Sequence, residues 1–197
     1  MKHKVARYIS NILNPFSIAV IILIVLSLKE GDNIPDMVRW LLITIGISVF
    51  PVLIIVFILV RLKKLDSLFS NPREQRNAIY LSACIIGAVD CVFIWYSHAP
   101  KLMAVIFTAG FIAVIIFMVI NYFWKISLHT AFVTATVVLL IIEYGPWALW
   151  TSLAIPLVGW SRLVMKQHNL LQVAVGGLLA AVIVFIVFWS FGLVGIA

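Results

Sequence analysis

Long apolar runs alternate with short polar breaks along this chain. The runs approach the length a helix needs to cross a bilayer, about 20 residues. The first covers about residues 9–28. Asn11, Asn14 and Pro15 in its opening part predict an interfacial helix ahead of a short crossing. A second run covers about 37–60, with Pro51 as the expected kink. The polar stretch RLKKLDSLFSNPREQR follows at 61–76. Further runs are expected at about 77–97, 102–124, 129–144, 147–165 and 169–194, the fifth span ending at the Gly-Pro turn of YGPW. The pattern is weakest for the first, fifth and sixth of these spans. The expected fold is therefore all-α: a polytopic transmembrane helix bundle of six to seven spans, in one integral membrane domain over 1–197.

Composition agrees with that pattern. The chain is 64% hydrophobic and 11% charged, with a mean hydropathy of +1.20, which a soluble domain of 197 residues does not reach. The formal charge of +7 reads as loop charge near lipid headgroups. No long basic run is interleaved with aromatics, so no nucleic-acid partner is expected. Cys84 and Cys91 lie seven apart on one apolar segment, without the spacing of a metal or redox pair, and read as small packing residues. The basic-then-apolar start has the outline of a signal peptide, but LSLKEGDN reads as the end of a retained span. Asp90 falls deep in the third span, where pairing within the bundle is as good a reading as chemistry. Gly176 and Gly177 predict close helix packing in the last span.

Orientation follows from Lys and Arg. Eleven of the fourteen lie on one side: Lys2, Lys4, Arg7, Arg61, Lys63, Lys64, Arg73, Arg76, Lys125, Arg162 and Lys166. Lys29, Arg39 and Lys101 lie on the other. Leaving out Arg73, Arg76, Lys125, Arg162 and Lys166 as site candidates preserves the bias, at six against three. This places the N-terminus and the 61–76 loop in the cytoplasm of a cell-membrane protein.

An even number of crossings separates the polar segments 61–76, 125–129 and 161–172, so all three are expected on one membrane face. That face offers Arg73, Arg76, Lys125 and Arg162 as cations, Ser127 as a hydroxyl, and His129 and His168 as imidazoles. Guanidinium forks, a hydroxyl and helix N-termini suit a phosphate group. Two imidazoles beside a phosphate suit nucleophile and acid roles. Each residue also has a plainer reading. The histidines could cap helices at the interface, Arg73 and Arg76 could meet lipid headgroups, and Lys125 and Lys166 could snorkel to the surface.

SRLVMKQH, Ser161 to His168, resembles the third motif of the type 2 phosphatidic acid phosphatase (PAP2) superfamily, S-R-x5-H-x3-D. ISLH, Ile126 to His129, resembles a divergent form of its second motif, P-S-G-H. NPREQR occupies the place of the first motif, K-x6-R-P, and is closer to the R-x-x-R variant of some short bacterial members. Those members also tend to read W-K-I-S-x-H and H-x3-Q-V, as Trp124 to His129 and His168 to Val173 do here. The likeness covers about 61–185.

It implies a PAP2-like core and an integral membrane phosphatase acting on a lipid phosphate or an isoprenyl diphosphate, with no metal or other cofactor. His168 would take the phosphoryl group, and His129 would protonate the leaving oxygen. Arg162, Arg73 and Arg76 would hold the phosphate oxygens, with Ser127 and Lys125 adding to them. One departure bears on mechanism: Gln172 stands where the family has aspartate. A glutamine carbonyl can orient the imidazole but adds no full charge. That keeps a second function open, a lipid-phosphate-binding or lipid-translocating protein without chemistry.

Overall fold

The computed structural model describes residues 1–68 and 72–194. Among them the regular structure is entirely helical. Helix α1 is Lys2–Ile12 and α2 is Pro15–Glu30. The break between them falls at Leu13 and Asn14. Asn14 Oδ1 accepts from the amides of Phe16 and Ser17 at 2.9 and 3.0 Å, and Pro15 needs no donor in the first turn. The expected first span is thus two helices. Helix α3, Ile34–Thr44, starts on Asn33, whose side chain accepts from Asp36 N at 3.0 Å.

Pro51, the expected kink, stands in the first turn of a helix that follows a π-helical turn. A π-helical turn at Ile45–Val49 joins α3 to α4, Phe50–Arg61. Widening the turn just before a proline accommodates its ring and missing N–H without ending the helix. The whole run Ile34–Arg61 stays long and apolar enough to span a membrane. Helices α5, Arg76–Tyr96, and α6, Lys101–Phe123, match the expected third and fourth spans within a residue or so.

The fifth span ends where expected, and the sixth differs in form. Helix α7, Leu128–Tyr144, passes through Gly145 into a 3-10 helix at Gly145–Leu153 and then into α8, Ala154–Val164. Gly145 takes φ +67°, a conformation that glycine adopts without steric cost, and the chain reverses there. Val133, Val137 and Ile141 of α7 pack on Ala154, Ile155 and Val158, so the two arms run antiparallel. Alone, α8 has 11 residues, about 16 Å at the helical rise, too short to cross. The last helix, α9, is Leu170–Ser190. By length and composition the chain holds five membrane-crossing candidates among the described residues, with Leu128–Val164 taken as one run. The number rises to six if the bent α1–α2 pair is one span. The expected six to seven counted about 147–165, most of the 3-10 helix together with α8, as a crossing of its own.

The chain divides into two compact units. Residues 1–18 and 125–197 form one, and 19–124 the other. In the first, α1 packs on α8, and α7 packs on both α8 and α9. In the second, α5 and α6 form a hairpin, with α4 and the π-helical turn packed against α5.

Several helices end on a residue with positive φ: Lys63 after α4, His98 after α5, Lys166 after α8 and Gly192 after α9. In each, the next amide reaches back to a carbonyl in the last turn, as Gln167 N does to Arg162 O at 3.1 Å. Only the last is a glycine.

Candidate active site

The first unit collects most of the expected site residues. Trp124 to Ser127 is an extended link, and Ser127 is the N-cap of α7. Its hydroxyl accepts from Thr130 N at 3.4 Å and lies 2.7 Å from Thr130 Oγ1. Ser127 is fully buried, and the contacts of its hydroxyl are those of a helix cap. Lys125, just before it, is half-buried. His129 follows on the first turn of α7 and is buried.

The third-motif stretch is built differently. Ser161 and Arg162 sit in the last turn of α8, both buried. The Ser161 hydroxyl donates to Val158 O at 2.8 Å, within its own helix. Arg162 places a cation at the helix C-terminus, where the macrodipole favours one. After α8, the turn at Met165 and Lys166 reverses the chain, and Asn169 caps α9. The five residues between Arg162 and His168 are therefore the helix end and its closing turn.

His168 stands just before that cap and is buried. Its Nδ1 lies 3.2 Å from Gln172 Oε1. The same oxygen accepts from Asn169 N at 3.2 Å, while Asn169 Oδ1 accepts from Gln172 N at 2.9 Å. This is a capping box, so Gln172 fixes the start of α9 and the ring of His168 together. The sequence carried that signal: an Asn followed three residues later by a Gln, ahead of an apolar run. With Nδ1 protonated, the imidazole donates to the Gln172 carbonyl and keeps its lone pair on Nε2.

The two stretches are joined through the backbone. Ser127 N donates to Gln172 O at 3.3 Å. A Cβ on Gly176 would lie 2.8 Å from Ser127 O, so only glycine admits this approach. Gly177 faces Thr134 one layer further along, where a Cβ would lie 3.0 Å from its Oγ1. The segments 125–129 and 161–172 thus meet at one end of the unit. The N-termini of α7 and α9 add positive potential at that end.

One participant has no sequence signal. Arg162 Nη1 donates to Ser10 Oγ at 2.6 Å, across 152 positions, with both residues almost fully buried. Ser10 lies on the face of α1 that meets α8. Ser10→Ala should lower stability by about 1–3 kcal/mol, the range for a buried hydrogen bond to a charged group, and Ser10→Thr should retain most of it. Denaturant unfolding in detergent measures this. An unchanged midpoint for Ser10→Ala would mean that the bond carries no weight.

Arg73 and Arg76 belong to the second unit. Asn71, which opens NPREQR, lies outside the described residues. Arg73 Nη1 donates to Phe123 O at 2.7 Å and Tyr122 O at 3.2 Å, and its Nε pairs with Glu74 at 3.2 Å. It therefore closes the C-terminus of α6. Asn121 Nδ2 adds bonds of 3.1 Å to Arg73 O and to Asn77 Oδ1. Asp66 and Gln75 bond reciprocally at 3.0 and 2.9 Å and brace the same loop. Arg76 opens α5 and is buried, one turn from buried Tyr80. Asp90 is buried further along α5.

No family model, curated protein or solved structure matches this chain.

Proposed function

We propose that this protein is an integral membrane phosphatase that releases phosphate from a lipid phosphate or an isoprenyl diphosphate through a phosphohistidine. The observation that carries the reading is the 3.2 Å contact of His168 Nδ1 with Gln172, in a unit that also buries His129 and Arg162. That contact fixes the His168 ring and leaves Nε2 as the nitrogen for attack. The short motifs in Ser161 to His168 and Ile126 to His129 supply the family direction, and the apolar helices supply a medium for the lipid tail.

In this mechanism His168 Nε2 attacks phosphorus, and the bond from phosphorus to the leaving oxygen breaks. His129 gives that oxygen its proton. Water then attacks the phosphohistidine, His129 takes the water proton, and inorganic phosphate leaves with His168 restored. Arg162 holds the equatorial oxygens through both steps, a fixed charge placed where negative charge develops. Gln172 holds the ring without adding charge. Lys125 and Ser127 border the phosphate in this reading.

The test is phosphate release by the detergent-solubilised protein in EDTA, across phosphatidate, phosphatidylglycerophosphate and polyprenyl diphosphates. Release from at least one of them is expected. Binding of these lipids without any release would replace the enzyme reading with that of a lipid-phosphate binder or translocator.

A further inference from the structure

Helix α1 has three faces. Ala6 and Ser10 are buried, Ser10 against Arg162. Val5, Tyr8 and Ile12, at helical spacing, form a second strip that is 48%, 71% and 52% exposed. Lys4, Arg7 and Asn11 form a third strip beside it, all exposed. An exposed apolar strip alone does not name its occupant. Charge does: Lys2, Lys4 and Arg7 are cations, and no Asp or Glu precedes Glu30. The chain then enters the apolar helix α2 immediately after the break at Leu13 and Asn14.

We propose that α1 lies in the headgroup layer of an anionic phospholipid surface, with Val5, Tyr8 and Ile12 at the acyl boundary and Lys4 and Arg7 among the phosphates. A short helix with a basic strip beside an apolar one has the composition for that position. Its buried face carries Ser10, so the docked helix also braces the buried Arg162 and brings anionic headgroups beside the candidate site. This inference rests on the membrane reading of the apolar helices and not on the phosphatase reading.

The experiment uses the full chain with Cys84→Ala and Cys91→Ala, and a nitroxide on either Tyr8→Cys or Arg7→Cys. Collision rates with oxygen, which concentrates in lipid, and with a water-soluble nickel chelate report the surroundings of each label. In nanodiscs of equal parts phosphatidylglycerol and phosphatidylcholine, the Tyr8 label should favour oxygen and the Arg7 label nickel. That contrast should shrink in phosphatidylcholine alone, and in a variant carrying Lys2→Gln and Lys4→Gln beside the Tyr8 label. Both labels equally open to nickel in the anionic discs would overturn the docking. An undiminished contrast in phosphatidylcholine would overturn the anionic partner. Labels shielded from both reagents, with spin–spin broadening, would assign the strip to a second copy instead. Each readout is independent of catalysis.

Discussion

His168→Ala is expected to abolish phosphate release, by about 10⁴-fold or more, because the covalent route closes when its nucleophile is removed. The side chain is held from two directions. Its own position follows the closing turn of α8, and Gln172 Oε1 meets Nδ1 at 3.2 Å. His129→Ala should cost less, about 10²–10⁴-fold, the usual range for a general acid. A substrate with a leaving group that needs no proton separates the two roles. A nitrophenyl ester of the phosphate should recover much of the His129→Ala loss and none of the His168→Ala loss. Radiolabelled substrate should leave an acid-labile, base-stable label on the wild type, as a phosphorus–nitrogen bond requires, and none on His168→Ala. Equal release by wild type and His168→Ala would sink the mechanism.

The parts of this fold that were legible in the sequence are those set by local chemistry. Helices α5, α6, α7 and α9 are continuous apolar runs with polar ends, and their limits fall close to expectation. Asn14-Pro15 marks a helix start by side-chain capping and fixed φ, both readable from residue types. Other features depend on contacts that no local pattern encodes. The Gly-Pro end of α7 was legible, whereas the 3-10 helix that carries the chain on into α8 was not. Lys63, His98 and Lys166 close helices at positive φ, which composition assigns to glycine or asparagine. Arg73 reads as a cation for phosphate or lipid headgroups, yet its guanidinium reaches the carbonyls that end α6.

The candidate site divides in the same way. His129, His168 and Arg162 were legible because their residue types are rare in apolar chains, where burying a polar group is costly. The approach of 125–129 to 161–172 was expected from counting crossings; the structure shows it as the Ser127–Gln172 backbone bond, whatever the number of crossings between them. Ser10 was not legible. A serine in a basic N-terminal helix has no feature that links it to an arginine 152 positions away. Gln172 was legible as an orienting group, whereas its second role in the capping box explains why an amide serves there. One oxygen accepts from both the imidazole and the backbone of Asn169.

Gly176→Ala is the substitution expected to do most damage for the smallest change. Within a helix the exchange normally stabilises by about 0.5–1 kcal/mol, since alanine loses less backbone freedom on folding. Here the added Cβ would sit 2.8 Å from the Ser127 carbonyl oxygen and 3.4 Å from its amide. Both are backbone atoms of a capped helix start, so neither can rotate aside as a side chain would. Overpacking of this kind costs about 1–3 kcal/mol, which exceeds the propensity gain. Relief requires α7 and α9 to separate at the end where Ser127 N bonds Gln172 O, and that displaces His129 relative to His168. Stability and phosphate release should therefore fall together. Gly177→Ala should be milder, because its nearest neighbour is the Thr134 hydroxyl, which can turn away. Gly110→Ala on α6 supplies the control: no heavy atom lies within 4 Å of its added Cβ, so the propensity gain alone remains. Unfolding midpoints in detergent rank the three. If Gly176→Ala matched Gly110→Ala in stability, the close seating of Ser127 on α9 would have no part in holding the two histidines in place.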